Sequence, residues 1–228
     1  MKNALILGAR GMLGSAIASE FGDANFDVTR ATSQPSIDGF VTITGAIDSS
    51  RKAIESLPVF DAVVWAHGIN LNDRCDHLDI ESLRRVLDVN VVYVASTLSI
   101  LLNAKKIADC ARLAIVSSVW QEVARPGKFS YSISKAALGG LVRVASTELA
   151  ERGILINAVL PGVLEGPMTR ANLSSTQLES VTHSTNFARL ANEGDVAKLT
   201  LFLCSDSNCS ITGQSVVVDL GFSHTKRL

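Results

Sequence analysis

Short apolar runs rich in β-branched residues recur along the chain, separated by stretches with helical periodicity. Most of these runs lack the polar alternation of a half-exposed strand, which indicates strands covered on both faces. Seven runs are predicted to be strands: ALIL, FDVT, FVTI, DAVVWA, LAIVSS, ILINAVL and SVVVDL. Because strands that alternate with helices build right-handed βαβ units, we predict an α/β fold, a doubly wound, seven-stranded parallel sheet with helices on both faces. No linker or repeat divides residues 1–228, which predicts a single domain.

Helices are predicted between most of the strands, at about residues 11–22, 49–57, 79–108, 131–152, 168–185 and 193–204. The second and third strands are the exception, because only ATSQPSIDG separates FDVTR from FVTI. A parallel crossover usually takes about a dozen residues or more. We therefore expect a tight, irregular link at this point.

The most apolar helical stretch, Val89 to Leu102, is too short to span a membrane and is interrupted by polar residues. We expect no membrane contact and a helix that is buried on several sides. Such a helix lies under its own sheet or also meets a partner subunit, because an apolar circumference must be covered. A homodimer or homotetramer is therefore expected.

Composition and charge narrow the function. The chain has 47% apolar and 19% charged residues and a formal net charge of −1, so no basic field is available for nucleic acid. A small molecule is the expected partner. Cys75, Cys110, Cys204 and Cys209 show no metal-ligand spacing, so we expect no metal site and reduced, buried thiols. The amino terminus has no signal-peptide pattern, which predicts a cytoplasmic protein.

Gly8, Gly11 and Gly14 lie between the first strand and the first helical stretch. At such a position glycines let the backbone approach a pyrophosphate, and the start of the helix favours negative charge. Glycines at a strand end are also common as simple turn residues, so this signal depends on its context.

The end of the second strand predicts which dinucleotide binds. Asp27 is interior to that strand, whereas Arg30 is predicted to lie at its end and Arg10 lies in the glycine loop. An acidic side chain at the strand end would bind the ribose hydroxyl of NAD, but arginine offers charge-assisted contacts to the additional phosphate of NADP. We predict NADP(H) as the preferred cofactor and NAD(H) as the alternative. Both arginines could instead be ordinary solvated charges.

Tyr131 and Lys135 stand four positions apart in YSISK, so on a helix they share one face. A free tyrosine has a pKa near ~10, and lowering it by about three units takes roughly 4 kcal/mol. An ammonium group at about 4 Å supplies energy of this order at an effective dielectric constant of about 20. This motif is common as a surface pair. Ser118, which ends the strand LAIVSS, favours a proton-transfer site, because strand ends and helix starts converge at one edge of a parallel sheet.

With these motifs, the chain from Lys2 to about Gly221 resembles the single-domain branch of the short-chain dehydrogenases/reductases, a family with a Rossmann-type fold. The resemblance implies that Tyr131 is the catalytic acid/base, that Lys135 lowers its pKa, and that Ser118 holds the substrate oxygen. It implies that Asn90 supports a proton relay. The cofactor-binding residues that it implies or that the motifs above indicate are Gly8, Arg10, Gly11, Met12, Leu13, Gly14, Arg30, Ala66, His67, Gly68, Tyr131, Lys135, Pro161, Gly162 and Val163.

The chain departs from the family pattern at two places. The glycine spacing is that of the extended, sugar-nucleotide-modifying branch, although the chain lacks the larger substrate region of that branch. The stretch WAHG replaces Asn-Asn-Ala-Gly, so His67 stands where alanine is expected. A histidine there could act chemically, but a lone histidine more often satisfies a local backbone group.

The resemblance implies an NADP(H)-dependent oxidoreductase that transfers hydride between nicotinamide and a carbonyl or hydroxyl substrate. The segments HGINLND, PGVLEGPM and ITGQ are most similar to 3-oxoacyl-acyl-carrier-protein reductases. A polar stretch within residues 163–190 has the composition of a flap that closes over substrate. The alternatives are an alcohol or sugar dehydrogenase that acts in oxidation, and a non-catalytic dinucleotide sensor.

Overall fold

A seven-stranded parallel sheet forms the centre of the molecule. The computed structural model describes residues 1–35, 38–45, 47–166, 169, 174–185 and 187–224. The strands run in the order β3-β2-β1-β4-β5-β6-β7, and every neighbouring pair is parallel. This confirms the predicted doubly wound sheet. The strands are β1 (Lys2–Leu7), β2 (Phe26–Thr32), β3 (Val41–Thr42), β4 (Phe60–Trp65), β5 (Ile107–Val116), β6 (Leu155–Pro161) and β7 (Ser215–Val218).

The helices lie close to their predicted positions. Within the described residues they are α1 (Met12–Asp23), α2 (Ile47–Glu55), α3 (Ile80–Leu87), α4 (Tyr93–Asn103), α5 (Phe129–Glu148), α6 (Ser175–Ser184) and α7 (Glu193–Cys204). Short 3-10 turns occupy Cys75–His77, Val119–Gln121 and Ala150–Arg152. The predicted start of the sixth helix, at 168, lies outside the described residues.

Two apolar layers cover the sheet, one on each face. On one face the side chains of β1, β4 and β5 pack against α2, α4 and α5, with Leu98 and Val142 among the contributors. On the other face the alternate side chains of the same strands pack against α1 and α7, through residues such as Ile17 and Ala197. Because both faces are covered, these strands are apolar at nearly every position.

The long apolar helix expected over 79–108 is present as one helical run from Ile80 to Asn103, so its predicted end is several residues too late. A π-helical turn, Asp88–Val92, separates α3 from α4, and α4 ends at Asn103, before β5 begins at Ile107. The π turn contains Asn90, which is buried. The stretch Ile80–Asn103 has the length and apolarity needed to cross a membrane, with 39% of its most apolar window buried. This is weak evidence for a span, because core helices meet the same criteria.

The link between β2 and β3 corrects one prediction about the site. β2 continues to Thr32, with Ala31 paired to Val41 of β3, so Arg30 does not end the strand. The residues that follow the strand are Ser33 and Gln34. Ala31 is buried in the core between the sheet and its helices, so the chain continues as a strand for two residues beyond Arg30.

The expectation of buried thiols is wrong for three of the four cysteines. Cys75, Cys110 and Cys209 are exposed, and only Cys204 is buried. Burial raises the pKa of the Cys204 thiol well above its usual value. Cys204 lies at the end of α7, in the apolar layer between that helix and the sheet. The other three cysteines lie outside the apolar layers, so the apolar residues near them in the sequence do not shield their thiols from solvent.

Candidate active site

A cleft of about 600 Å³ opens at the carboxyl edge of the sheet, where β1 and β4 lie side by side. The strand order reverses at this point, since β2 and β3 extend to one side of β1 and β4 to β7 to the other. Ligands of doubly wound proteins bind at such a switch point. The lining residues are Gly8, Arg10, Gly11, Thr32, Ser33, Gln34, Thr44, Gly45, Ala66, His67, Gly68, Ile69, Asp88, Val89, Val92, Tyr93 and Ser96.

The glycine loop is packed so tightly that two of its glycines have no room for a side chain. Gly8 has φ +81°, and a Cβ there would lie 2.7 Å from the backbone nitrogen of His67. A Cβ on Gly14 would lie 2.2 Å from the carbonyl oxygen of Gly8. Gly11 differs, because its Cβ would meet only the Gly8 carbonyl oxygen, at 3.5 Å. The loop therefore presents bare backbone to the cleft, as a bound pyrophosphate requires.

The start of α1 completes this cradle. Gly11 caps the helix without a side-chain hydrogen bond, so the helix-start N–H groups keep their donors for a ligand. On the cleft wall, the Arg10 guanidinium donates to the side-chain oxygen of Gln34. Thr32 and Ser33 line the same end of the cleft, whereas Arg30 is not among the lining residues. With a cleft of this size, the bare loop and these polar groups fit a dinucleotide.

His67 stands in the wall between the two ends of the cleft. Its Nε2 donates to the carbonyl oxygen of Val89 at 2.9 Å, so the imidazole satisfies a backbone group, as a lone histidine commonly does. Its ring lies 4.3 Å from that of Tyr93, centroid to centroid. Burial, with a smaller effect from Lys135, lowers the pKa of His67 to about 4. The ring is therefore neutral at pH 7, and its buried Nδ1 has no partner within the described residues.

Ser118 lies just beyond β5, where the chain turns into the 3-10 turn Val119–Gln121. Its Oγ accepts a hydrogen bond from the backbone nitrogen of Trp120 at 3.3 Å, which fixes the hydroxyl beside the helix that carries Tyr131. The side chain is buried. Ser118 also forms a hydrogen bond with Tyr131 that lowers the pKa of the phenol.

Tyr131 and Lys135 lie on α5, and the Lys135 Nζ is 5.6 Å from the centre of the Tyr131 ring. Burial raises the pKa of Tyr131, and the Ser118 hydrogen bond opposes that effect only in part. Burial also lowers the pKa of Lys135 to about 8. The Lys135 Nζ donates to the carbonyl oxygen of Val116 at 3.1 Å. This arrangement holds a protonated phenol beside a cationic lysine at neutral pH.

Asn90 ties the loop after β4 to α5. Its side-chain oxygen accepts from the Ile69 backbone nitrogen at 2.8 Å, and its side-chain nitrogen donates to the Ile69 carbonyl and to the Ser134 hydroxyl. A Cβ on Gly68 would lie 3.3 Å from the Asn90 oxygen and 3.4 Å from the Lys135 Nζ. Gly68 also lines the cleft, so it connects the cleft to the predicted catalytic group.

The other predicted cofactor residues lie away from the cleft wall. Leu13 packs against the apolar layer on the α1 side, and Met12 lies against Gly166. Pro161 ends β6 beside Val218, and Gly162 is pressed against Asp219, where a Cβ would lie 2.5 Å from the aspartate Cβ. Val163 follows them. Of the flap predicted over 163–190, residues 167, 168, 170–173 and 186 lie outside the described residues, and the flap stays a prediction.

Part of the cleft wall was not predicted from the sequence. Thr32, Ser33 and Gln34 replace Arg30 at the end of β2, and Thr44 and Gly45 follow β3. The signal for the first group was present: the polar Ser-Gln-Pro that follows Ala-Thr marks a strand end better than Arg30 does. The second group follows a strand of only two residues and has no such signal.

The chain is similar to known proteins over most of its length. The model of the family described as enoyl-(acyl carrier protein) reductase matches residues 16–223. The 3-oxoacyl-(acyl-carrier-protein) reductase of Staphylococcus aureus is 26% identical over 240 residues, covering 96% of this chain and 97% of the relative. The reductase of the same name from Rickettsia felis is 31% identical over 173 residues, covering 74% of this chain and 69% of the relative.

A solved structure shows the same fold. A short chain dehydrogenase family protein from Francisella tularensis superimposes with a TM-score of 0.87 at 24% identity, covering 99% of this chain and 100% of that one.

Proposed function

Because this chain belongs to the short-chain dehydrogenase/reductase family, whose members are NAD(P)-dependent oxidoreductases, we propose that it is an NADPH-dependent reductase with Tyr131 as its acid. The observation that carries this proposal is the convergence of Ser118, Tyr131 and Lys135 beside a cleft that fits a dinucleotide. A binding module has no physical need for a buried phenol between a serine and a lysine, which argues against a non-catalytic sensor.

The roles of the three side chains follow from their surroundings. The bound cofactor supplies the hydride. Ser118 holds the substrate oxygen next to Tyr131, and the Tyr131 hydroxyl donates its proton to that oxygen. Lys135 stabilises the phenolate that remains. Burial raises the pKa of Tyr131, so the phenol is protonated at neutral pH and ready to act as an acid. This favours reduction over oxidation at pH 7.

We propose that NADP(H) is preferred over NAD(H). The wall at the end of β2 offers the Arg10 guanidinium and the hydroxyls of Thr32 and Ser33, and the residues directly after the strand, Ser33 and Gln34, carry no carboxylate. Cationic and hydroxyl donors bind a phosphate, whereas a carboxylate would bind the ribose hydroxyl and repel the phosphate.

For the substrate we propose a 3-oxoacyl thioester, the class named in the curated relatives. The test measures loss of NADPH and, separately, NADH with 3-oxoacyl thioesters, ketones and aldehydes, for the wild type and Tyr131→Phe. Turnover with a thioester that the substitution abolishes, at unchanged NADPH affinity, supports the proposal. Turnover with simple ketones or sugars only would overturn the substrate class, and binding without any turnover would favour a sensor.

We further propose a homodimer or homotetramer in the cytoplasm. An apolar stripe on α5 is exposed, with Phe129, Ile133 and Val144 at helical spacing, and Val92 is exposed on the neighbouring π turn. Such a stripe is expected at a subunit interface. Light scattering of the wild type and of Val144→Glu tests this: the wild type should be oligomeric, and the charged variant should have a smaller mass.

A further inference from the structure

Two ammonium groups approach the Tyr131 ring. The Lys135 Nζ lies 5.6 Å from its centre and the Lys128 Nζ 5.8 Å. The mechanism above uses Lys135 but gives Lys128 no role. Each ammonium group lies within 6 Å of the ring centre, and a positive charge this close to a buried phenol favours its ionised form.

Lys128 is held in an unusual environment for a lysine. The residue is 8% exposed, although the two asparagines that cover it are on the surface. Its Nζ donates to the Asn70 side-chain oxygen at 2.8 Å and to that of Asn72. Both acceptors are neutral amides, so the hydrogen bonds hold the ammonium group without cancelling its charge. Burial lowers the pKa of Lys128 by more than the Asp73 carboxylate raises it. A buried ammonium group is costly to keep, which is typical of functional positions.

The backbone around Lys128 fixes its position relative to Tyr131. Lys128 immediately precedes α5, three residues before Tyr131, and pairs with Asp73 of the loop after β4. The Asp73 carboxylate accepts hydrogen bonds from the backbone nitrogen and the hydroxyl of Ser130. Asn70, Asn72 and the start of α5 therefore form one connected unit, and the Lys128 ammonium is oriented before any ligand binds.

We propose that Lys128 is a positioning residue that, together with Lys135, stabilises the phenolate form of Tyr131 during proton transfer. This inference rests on the proposed function, in which Tyr131 is the acid. The need for a second cation follows from burial, which raises the pKa of Tyr131 by more than Ser118 offsets. Once Tyr131 has given up its proton, both lysine charges favour the resulting anion.

The charged groups around Lys128 and Tyr131 determine how the effect of Lys128 on Tyr131 depends on pH. Tyr131 faces Ser118 and Lys135 as well as Lys128. The pKa of Lys128 is lowered chiefly by burial and also by Arg125, and is raised by Asp73. Loss of the Lys128 charge at high pH should weaken its effect on the phenol, so the effect is largest at neutral pH.

The test follows Tyr131 directly, without substrate. The chain has only two tyrosines, so NMR of protein labelled at tyrosine Cζ gives two signals, and Tyr131→Phe assigns them. We expect the Tyr131 midpoint in Lys128→Arg, whose guanidinium stays charged throughout the titration, to lie about one pH unit below the midpoint in Lys128→Gln, which is neutral and can still bond to the asparagines. Lys198→Met, which removes an exposed lysine on α7, is the matched control and should leave the midpoint unchanged.

Equal Tyr131 midpoints in folded Lys128→Gln and Lys128→Arg proteins would overturn the proposal. Lys128→Met is the second neutral variant, and failure of both to fold would show that Lys128 serves folding instead, which also overturns it. A shifted midpoint in a protein that reduces nothing in the substrate panel would leave the electrostatic effect of Lys128 on Tyr131 standing, and would overturn its role in proton transfer together with the proposed function. Failure of this inference and failure of the proposed function are therefore distinguishable.

Discussion

The two halves of the site are built on different principles. The glycine-loop half, residues 8–14 with 32–34, meets the cleft through backbone and through partly exposed polar groups such as Arg10. The tyrosine half, with Ser118, Tyr131 and Lys135, uses functional groups that are largely withdrawn from water. In the first half the absence of a side chain matters most. In the tyrosine half, the chemistry depends on the identity of a functional group and on its removal from water.

Of the substitutions that test this difference between the two halves, we expect the largest effect on activity at Lys135. Lys135→Met should reduce kcat by about 10³-fold, because general acid catalysis contributes about 10²–10⁴ and the phenolate loses its cation. The same change should stabilise the protein. The pKa of Lys135 is about 8 when folded and 10.5 when unfolded, so charging it opposes folding at every pH below 8, by about 3 kcal/mol at most.

Thermal unfolding of the ligand-free protein checks the sign of this effect. Wild-type stability should rise between pH 8 and 10.5, because the unfolded chain binds the additional proton there, and Lys135→Met should lack that rise. The hydrogen bond from Lys135 to Val116 is lost in the variant and reduces the gain. A Lys135→Met protein that is both inactive and less stable than the wild type at pH 7 would contradict the view that the buried lysine lowers stability while it supports catalysis.

The tyrosine half was predictable from sequence because the spacing of its residues along the chain determines how they lie relative to one another. Tyr131 and Lys135 need only one helix, and Ser118 needs only a strand that ends at the same edge. The glycine-loop half was less predictable. Arg30 was misplaced because the end of a strand depends on pairing with β3, a contact that no local pattern contains.

The fold was more predictable than the details within it. All seven predicted strands are present, and the signal was clearest for β1, β4 and β6, because strands covered on both faces are almost uniformly apolar. The π turn that buries Asn90 was missed, because it interrupts a stretch whose residues all suit an α-helix. Lys128 was missed because its partners, Asn70 and Asn72, are brought to it by the tertiary fold.

The second largest effect is expected within the glycine loop. Gly14→Ala would place a Cβ 2.2 Å from the Gly8 carbonyl oxygen, a backbone atom that cannot move cheaply. We expect a loss of about 3 kcal/mol, the upper range for overpacking. Gly11→Ala is the matched control, since its Cβ would stand 3.5 Å from the same oxygen and φ is −71°, so the loss should be under about 1 kcal/mol. Equal losses in thermal unfolding would refute the contrast.

His67 lies where the two halves meet, and it should make stability depend on acid. Its pKa is about 4 in the folded protein and 6.5 in an unfolded chain, so the unfolded chain binds a proton between these values. This contribution to stability is therefore complete above pH 6.5 and is lost as the pH falls toward 4, by about 3 kcal/mol. His67→Phe should flatten this slope. The same substitution at the exposed His77 should leave it unchanged, and a slope that survives His67→Phe must come from other groups.

The smallest effect separates the two arginines of the glycine-loop half. Arg10 lines the cleft and is oriented by Gln34, whereas Arg30 is exposed on β2, away from the cleft wall. Arg10→Ala should weaken NADPH binding about tenfold, which is about 1.4 kcal/mol, because one partly exposed charge contact to phosphate is lost. NADH affinity should not change. Arg30→Ala removes the same charge and is expected to leave both affinities unaltered in calorimetric titration. If Arg30→Ala weakened NADPH binding as much as Arg10→Ala, overall charge and not the position of Arg10 would govern the preference.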